Sequence, residues 1–298
     1  MMPTMRSDLR LIPLSQVQSV LRQRQLVLRE TLDRMRNDYQ GLHQRATQNL
    51  ARWRMQRQVE ERTLATRGRV ELYQGDWGEV TAELTAREGE LFAALNMANA
   101  YVAGGAYQRG TAAQEENMFR RTDCHFALRE SELLPSARDQ VTEPRYTPEM
   151  TDLLNAKGGR VYLDIEQSRI CLRGPEILGA PGEGYAWLNE MEIFPFYELR
   201  AAAVDLRYGQ DYFKPKECKR RFNALLDTLK EAGVEHAVLG AHGCGAFENP
   251  SQDVARCYAQ VLNERRGEFS LIAFAIYHAG YGPNNYEIFE KVFKQEGI

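Results

Sequence analysis

Two adjacent carboxylates, Glu115 and Glu116, follow Gln114 where a helical pattern begins, shortly after the paired glycines of Ala103-Gly104-Gly105-Ala106. Paired glycines after an apolar strand let backbone approach a ligand closely, and the helix start behind them supplies free N–H groups for an anion. Carboxylates in that position suit general acid and base work. Neighbouring side chains on a helical turn point about 100° apart, so the two cannot flank one bond, and one carboxylate must serve twice or with help. A second loop, Gly240-Ala241-His242-Gly243-Cys244-Gly245-Ala246-Phe247, leaves an apolar strand and enters a helix after Asn249-Pro250. Glycines so spaced form nests of backbone N–H groups that cradle phosphate, with Phe247 available to stack on a sugar or base. The order is not the dinucleotide fingerprint, and no GxxxxGK[ST] occurs, which argues against a nicotinamide cofactor and a P-loop NTPase.

Other reactive residue types carry plainer readings. Cys124-His125 and the pair His242 and Cys244 lack the spacing of a structural zinc site, so they read as packing and turn geometry, and neither a metal nor a cofactor is expected. Arg120-Arg121 reads as a helix surface near the first loop, and Tyr281-Gly282-Pro283-Asn284-Asn285 as a turn after the last strand.

These loops need a scaffold. Strands are expected at 69–73, 91–97, 161–164, 170–172, 192–196, 200–205, 237–240 and 270–277, and helices at 77–87, 214–232, 251–265 and 285–294. Strands alternating with helical segments of that length imply an α/β fold, a mixed central sheet with helices on both faces. Gly174 to Gly184 is a loop by composition. Ahead of this lies an amphipathic stripe from Val17 through Leu21, Leu28, Leu32, Met35, Leu42 and Ala46 to Trp53, one helix or two broken near Gly41. Its apolar face needs a partner, and the domain that follows is the plainest one; a coiled-coil dimer is the alternative, disfavoured by Arg24-Gln25 where a seam residue is due. The expected organisation is therefore a helical extension over 1–67 packed on a domain over 68–298, with a monomer as the expected state.

The chain's 298 residues carry a net charge of −3, but residues 1–67 hold 13 Arg and no Lys against 6 acids, which makes that segment +7. Its charges alternate with apolar positions and lack aromatic interleaving, so a solvated helix face is preferred over nucleic-acid binding. There is no apolar run of membrane-spanning length and no compact apolar leader. Five scattered cysteines argue against a disulfide framework and for a reducing compartment, the cytoplasm, with delivery into another cell without a classical signal left open.

The stretch from Leu95-Asn96-Met97-Ala98-Asn99 to Gly104-Gly105-Ala106, then Gln114-Glu115-Glu116, resembles the signature of the microbial-type poly(ADP-ribose) glycohydrolases, which place a glycine triplet before Gln-Glu-Glu on a macrodomain. The second loop is similar to that family's Gly-Ala-X-Gly-Cys-Gly-X-Phe, and Gly75-Asp76-Trp77 resembles the Gly-Asp-Ile turn of macrodomains, whose Asp receives the adenine amino group. Arg29-Glu30-Thr31-Leu32 resembles part of the family's helical extension. The resemblance implies a three-layer αβα macrodomain that binds ADP-ribose or ADP-ribosylated protein and hydrolyses the glycosidic bond at the distal ribose. In that scheme Glu116 is the acid and base, Glu115 and Asn99 hold ribose hydroxyls, and the loops around Gly104 and Gly243 hold the diphosphate. Asn285 would border the adenine pocket. Two places depart from the family: Ala106 stands for the third glycine, and Arg200-Ala201-Ala202-Ala203-Val204-Asp205-Leu206-Arg207 stands where Ala-Ala-Pro-Asn after a strand is more usual. Both departures leave open a hydrolase for single ADP-ribose groups on one protein target, and a non-catalytic reader is a further alternative.

Overall fold

A strand whose side chains are apolar on both faces must be covered on both sides. In Leu271–Ala275 the side chains of Leu271, Ala273 and Ala275 enter one layer while Ile272 and Phe274 enter the other. The computed structural model describes residues 14–60, 67–135, 143–209, 211–278 and 282–298. Its strands are β1 (Arg69–Tyr73), β2 (Ala93–Met97), β3 (Tyr162–Leu163), β4 (Arg169–Cys171), β5 (Phe194–Ala201), β6 (His236–Leu239) and β7 (Leu271–Ala275). They form one seven-stranded sheet in the order β1-β7-β6-β2-β5-β3, with β4 also paired to β5. Every pairing from β1 through to β5 is parallel, and β3 and β4 run antiparallel to β5.

Helices cover the sheet on both faces. On one side lie α5 (Pro215–Glu231), α6 (Ser251–Glu264) and α7 (Asn285–Glu296), packed through Leu225, Val261 and Phe289 onto Leu95, Leu239 and Phe274. On the other lie α1 (Leu14–Glu60), α2 (Trp77–Glu88) and α3 (Gln114–Arg121), packed through Leu28, Leu84 and Met118 onto Ala94, Val238 and Ala273. A short α4 (Pro148–Leu154), capped by the Thr147 hydroxyl, was not legible in the sequence. Because β2, β5, β6, β7 and β1 are parallel, the loops leaving their C-terminal ends share one edge of the sheet. From β2 the chain moves toward β5, and from β6 it moves the opposite way to β7. The two glycine loops thus open at a topological switch point, where open α/β sheets bind ligands.

Four expectations need correction. The strands expected at 192–196 and 200–205 are one strand, β5, ending at Ala201. Glu198 and Arg200 are fully buried and pair with each other at 2.9 Å, so the strand runs through them. The break in α1 is at Asp38 (φ −148°, ψ 46°) rather than at Gly41, whose missing side chain leaves room for the Asp38 carboxylate. Arg24 is not on a solvated face: it is buried and bonded to Glu176 at 2.9 Å. Arg120 and Arg121 are also interior, each no more than 1 % exposed. The Arg120 Nε donates to the Tyr185 hydroxyl, and Arg121 pairs with Asp76.

The stripe on α1 finds its partner within the same chain. Met35, Leu42 and Ala46 form a cluster with Ile170, Leu172 and Ile193, and Thr31 bonds to the Arg120 carbonyl at 2.8 Å. Truncating the fully buried Met35 to Ala should destabilise the protein by about 2–5 kcal/mol. Urea denaturation followed by far-UV dichroism should show one transition moved to lower urea; a separate early step for α1, with the main transition unmoved, would mean that the helix is an independent unit.

Candidate active site

The turn after β2 is built on its glycines. Gly105 has φ +62°, and a Cβ there would stand 2.8 Å from Glu116 Oε1 and 3.0 Å from Glu115 Oε2. Only glycine permits both the left-handed backbone and this approach. The Asn99 N–H donates to Glu115 Oε2 at 2.8 Å and the Ala106 N–H to Glu116 Oε1 at 3.3 Å. Thr111, which the sequence did not single out, bonds through its hydroxyl to the Ala106 carbonyl at 2.7 Å and to Glu116 Oε1 at 3.4 Å. Although adjacent on the helix, the two carboxylates therefore reach the same short turn. The Asn99 side chain shapes its own stretch, accepting from the Tyr101 and Val102 N–H groups.

Gln114 is a pin rather than a ligand-facing group. Its Oε1 accepts from the Met97 N–H at 2.8 Å and its Nε2 donates to the Leu95 carbonyl at 2.7 Å, which clamps the start of α3 to the edge of β2. The residue ahead of it, Ala113, offers no side-chain cap, and the first turn of α3 carries Glu115 and Glu116 instead. A helix N-terminus favours carboxylate over carboxyl. At Glu115 burial outweighs it: desolvation first, and then the Glu116 charge, hold its pKa well above 4.5 against the Asn99 N–H and the buried Arg200.

A second group of residues surrounds Asp76. Its Oδ1 caps α2 by accepting from the Gly78 and Glu79 N–H groups and also takes Arg121 Nη1 at 2.7 Å. Arg121 bonds in turn to Asn117 Oδ1 at 2.8 Å, which receives the Trp77 indole N–H at 3.1 Å. The Trp77 ring packs at 5.4 Å from Phe196 with the Arg121 guanidinium 5.0 Å away, so its side chain belongs to the interior, not to a ligand surface. Asn117 and Arg121 lie on α3, and this network joins the turn after β1 to the helix that carries Glu115 and Glu116. Sequence reasoning could not find it, since Asp76 and Arg121 are far apart along the chain.

The second glycine loop is held by Asn249. Its Nδ2 donates to the Val204, Gly243 and Phe247 carbonyls. Gly243 has φ +81°, and a Cβ there would stand 2.6 Å from the Ala203 methyl. Cys244 is partly buried, Gly245 and Ala246 are exposed at the tip, and Phe247 carries the Arg207 guanidinium 4.9 Å over its ring. Asn285, at the start of α7, accepts from the Ser251 hydroxyl at the start of α6, which ties it to the end of this loop. Tyr281 lies outside the described residues. His242 is buried with Nε2 3.2 Å from the Ala201 carbonyl, and burial lowers its pKa to about 4; burial raises the Cys244 thiol to about 12 and also pushes Cys124 up. His125 meets the Tyr107 hydroxyl at 2.7 Å. These are packing roles.

Residues 19–151 match the family model for the microbial-type PARG catalytic domain, a glycosidase domain. No curated protein matches the sequence. Among solved structures, poly(ADP-ribose) glycohydrolase from Thermomonospora curvata is 20 % identical with TM-score 0.61, covering 91 % of this chain and 99 % of that one. The same enzyme bound to the inhibitor ADP-HPD is 19 % identical with TM-score 0.60, covering 90 % and 98 %. Poly(ADP-ribose) glycohydrolase from Deinococcus radiodurans in complex with ADP-ribose is 21 % identical with TM-score 0.53, covering 86 % and 98 %. These likenesses establish a common fold. Among the described residues, no helix is long and apolar enough to cross a membrane.

Two measurements test this geometry. Asp76→Ala removes the α2 cap and leaves the Arg121 charge buried without its carboxylate, so it should cost about 3–5 kcal/mol in stability; a loss below 1 kcal/mol would mean the pair is solvated. Glu115 titrates at ordinary pH when unfolded and holds its proton higher when folded, so stability should fall as pH rises from about 4.5 toward the folded pKa. Glu115→Gln removes that slope. Relative to wild type it should melt higher at pH 8 than at pH 5; an equal difference at both pH values would show that the carboxyl is not perturbed.

Proposed function

We propose that this chain, whose residues 19–151 carry a microbial-type PARG catalytic-domain sequence, is an ADP-ribosyl glycohydrolase that cleaves the glycosidic bond at the distal ribose of poly- or protein-linked ADP-ribose. One observation carries the reading furthest: the two buried carboxylates of α3 converge on the Gly105 turn at the switch point between β2 and β6, beside the loop pinned by Asn249. That arrangement offers acid and base groups next to backbone suited to a diphosphate.

Cleavage of the C1–O bond passes through an oxocarbenium-like state. Two buried carboxylates so close do not both stay ionised, so the pair keeps one proton; Glu116 passes it to the leaving oxygen and, once ionised, accepts a proton from the attacking water. Glu115 and Asn99 hold the ribose hydroxyls and so fix C1 against Glu116. The diphosphate lies over Gly104 and Gly243, where its negative charge offsets the developing positive charge. Adenine lies toward Asp76, whose Oδ1 is taken by the α2 cap and Arg121, so that Oδ2 is the atom placed to receive its amino group. The burial of both Glu115 and Glu116 favours an enzyme over a reader, since recognition alone gains nothing from carboxylates held out of water.

The test is direct. Wild type should release ADP-ribose from poly(ADP-ribose) or an ADP-ribosylated protein, and Glu116→Gln should lose at least about a hundredfold in turnover while binding ADP-ribose by calorimetry. Unchanged turnover in Glu116→Gln would overturn the assignment of the acid.

A further inference from the structure

Between the glycine turn and Gln114 the chain runs through Tyr107–Arg109 and Gly110 to Thr111, and two carbonyls of this stretch are taken by α1. Gln25 Nε2 donates to the Gln108 carbonyl at 3.0 Å, and Arg24 Nη1 donates to the Gly110 carbonyl at 3.4 Å. Helix and loop also meet backbone to backbone. Gly110 has φ +77°, and a Cβ there would run into the Leu21 carbonyl oxygen, so the loop can lie this close to α1 only as glycine.

From Gly110 the path to Glu116 is one residue long. The Thr111 hydroxyl bonds the Ala106 carbonyl at 2.7 Å and Glu116 Oε1 at 3.4 Å, and the Ala106 N–H reaches the same oxygen at 3.3 Å. A second path leaves Arg24 on its other side. Arg24 Nε donates to Glu176 Oε1 at 2.9 Å, Glu176 Oε2 accepts from the Tyr185 hydroxyl at 3.1 Å, and that hydroxyl accepts from Arg120 Nε at 3.2 Å. Arg120 lies one turn beyond Glu116 on α3, and its carbonyl accepts from the Thr31 hydroxyl of α1 at 2.8 Å. Arg24, 1 % exposed, is therefore the joint of two routes to Glu116, one through the loop and one through α3. A guanidinium suits the task, because its rigid fork donates in two directions at once where an ammonium is a point donor. The groups assigned to adenine and to the diphosphate have other supports: Asp76 is held by Arg121 and the Gly243 loop by Asn249.

Resting on the glycohydrolase reading, we propose that Arg24 is a positioning residue for the general acid: it fixes the Gly110-Thr111 turn and α3 against each other and so sets where the Glu116 carboxyl stands. The helix α1 is then a working part of the active site as well as a cover for the sheet. An acid displaced by a fraction of an ångström still faces a bound ligand but transfers its proton poorly, so the loss falls on turnover and not on affinity.

The experiment compares wild type, Arg24→Lys and Met35→Ala at a temperature where far-UV dichroism shows each folded. Arg24→Lys keeps the charge beside Glu176 but cannot span both acceptors. Met35→Ala weakens the same helix where it packs on Ile170, Leu172 and Ile193 instead. On whichever of poly(ADP-ribose) or an ADP-ribosylated protein the wild type cleaves, Arg24→Lys should lower kcat by about tenfold to a hundredfold, with ADP-ribose affinity by calorimetry within about threefold of wild type. Met35→Ala should change neither. Should Arg24→Lys fail to fold, Gln25→Ala, at an exposed side chain, takes its place and should lower kcat by about threefold or more at unchanged affinity. Wild-type kcat in the folded variant, a fall in affinity as large as the fall in kcat, or an equal kcat loss in Met35→Ala would overturn the positioning role and leave the glycohydrolase reading standing. A wild type that neither binds ADP-ribose nor cleaves either substrate would overturn that reading, and the positioning role with it.

Discussion

Glu115 and Glu116 lie side by side, both buried, against the position where Gly105 has no side chain, and much of the surrounding structure follows from making that tolerable. Two carboxylates out of water are costly unless hydrogen bonded or neutralised. Backbone N–H groups of Asn99 and Ala106 supply the bonds, but only if the turn between them takes the left-handed path through Gly104 and Gly105. The turn in turn requires α3 to start at a fixed place, which the Gln114 clamp on β2 provides. A single residual consequence is chemical: burial, reinforced by the Glu116 charge, leaves Glu115 holding a proton far more tightly than a surface carboxylate does.

Beneath the pair lies a fully buried ionic network on β5. Glu198 binds Arg200 through two oxygens and receives the Asn96 amide at 2.7 Å, while Arg200 also reaches Glu132 and the Tyr146 hydroxyl. Burial alone would raise the Glu198 pKa, yet Arg200 and Arg169 hold it down to about 2. Such a network is weak evidence for stability, because desolvation offsets most of the attraction. What it does fix is register: Asn96 sits opposite Arg200 in the pairing of β2 with β5, so a slip would strand a buried charge. Arg24 with Glu176 and Asp76 with Arg121 act likewise at the other borders of the site, joining α1 to the loop before β5 and α2 to α3.

The parts legible in the sequence are those whose chemistry is local. Glycine pairs after strands, the carboxylates that follow, and the strand and helix alternation each announce themselves within a few residues, and the layers and both loops stand where they were expected. What was illegible depends on partners distant in the chain. Arg120 and Arg121 read as surface because nothing nearby revealed Tyr185 or Asp76, and β5 read as two strands because the mutual pairing of Glu198 and Arg200 cannot be inferred from either alone. Trp77 belongs to the turn that resembles the adenine-binding one, but its ring is committed to Phe196 and Arg121.

Ala106 marks how far the resemblance constrains the chain. Its backbone, at φ −111° and ψ 37°, lies outside the left-handed region, so a glycine there is not demanded by conformation as it is at Gly105. Its N–H still reaches Glu116 Oε1, so the added methyl leaves that bond intact. The substitution therefore acts on the volume beside the carboxylate and not on the carboxylate itself. Asp205 behaves differently, because it recruits Arg207 and sets the plane of a guanidinium over Phe247. Of the two departures, the one on the β5 loop changes more of its surroundings, because it fixes a guanidinium against the second glycine loop where Ala106 adds only a methyl.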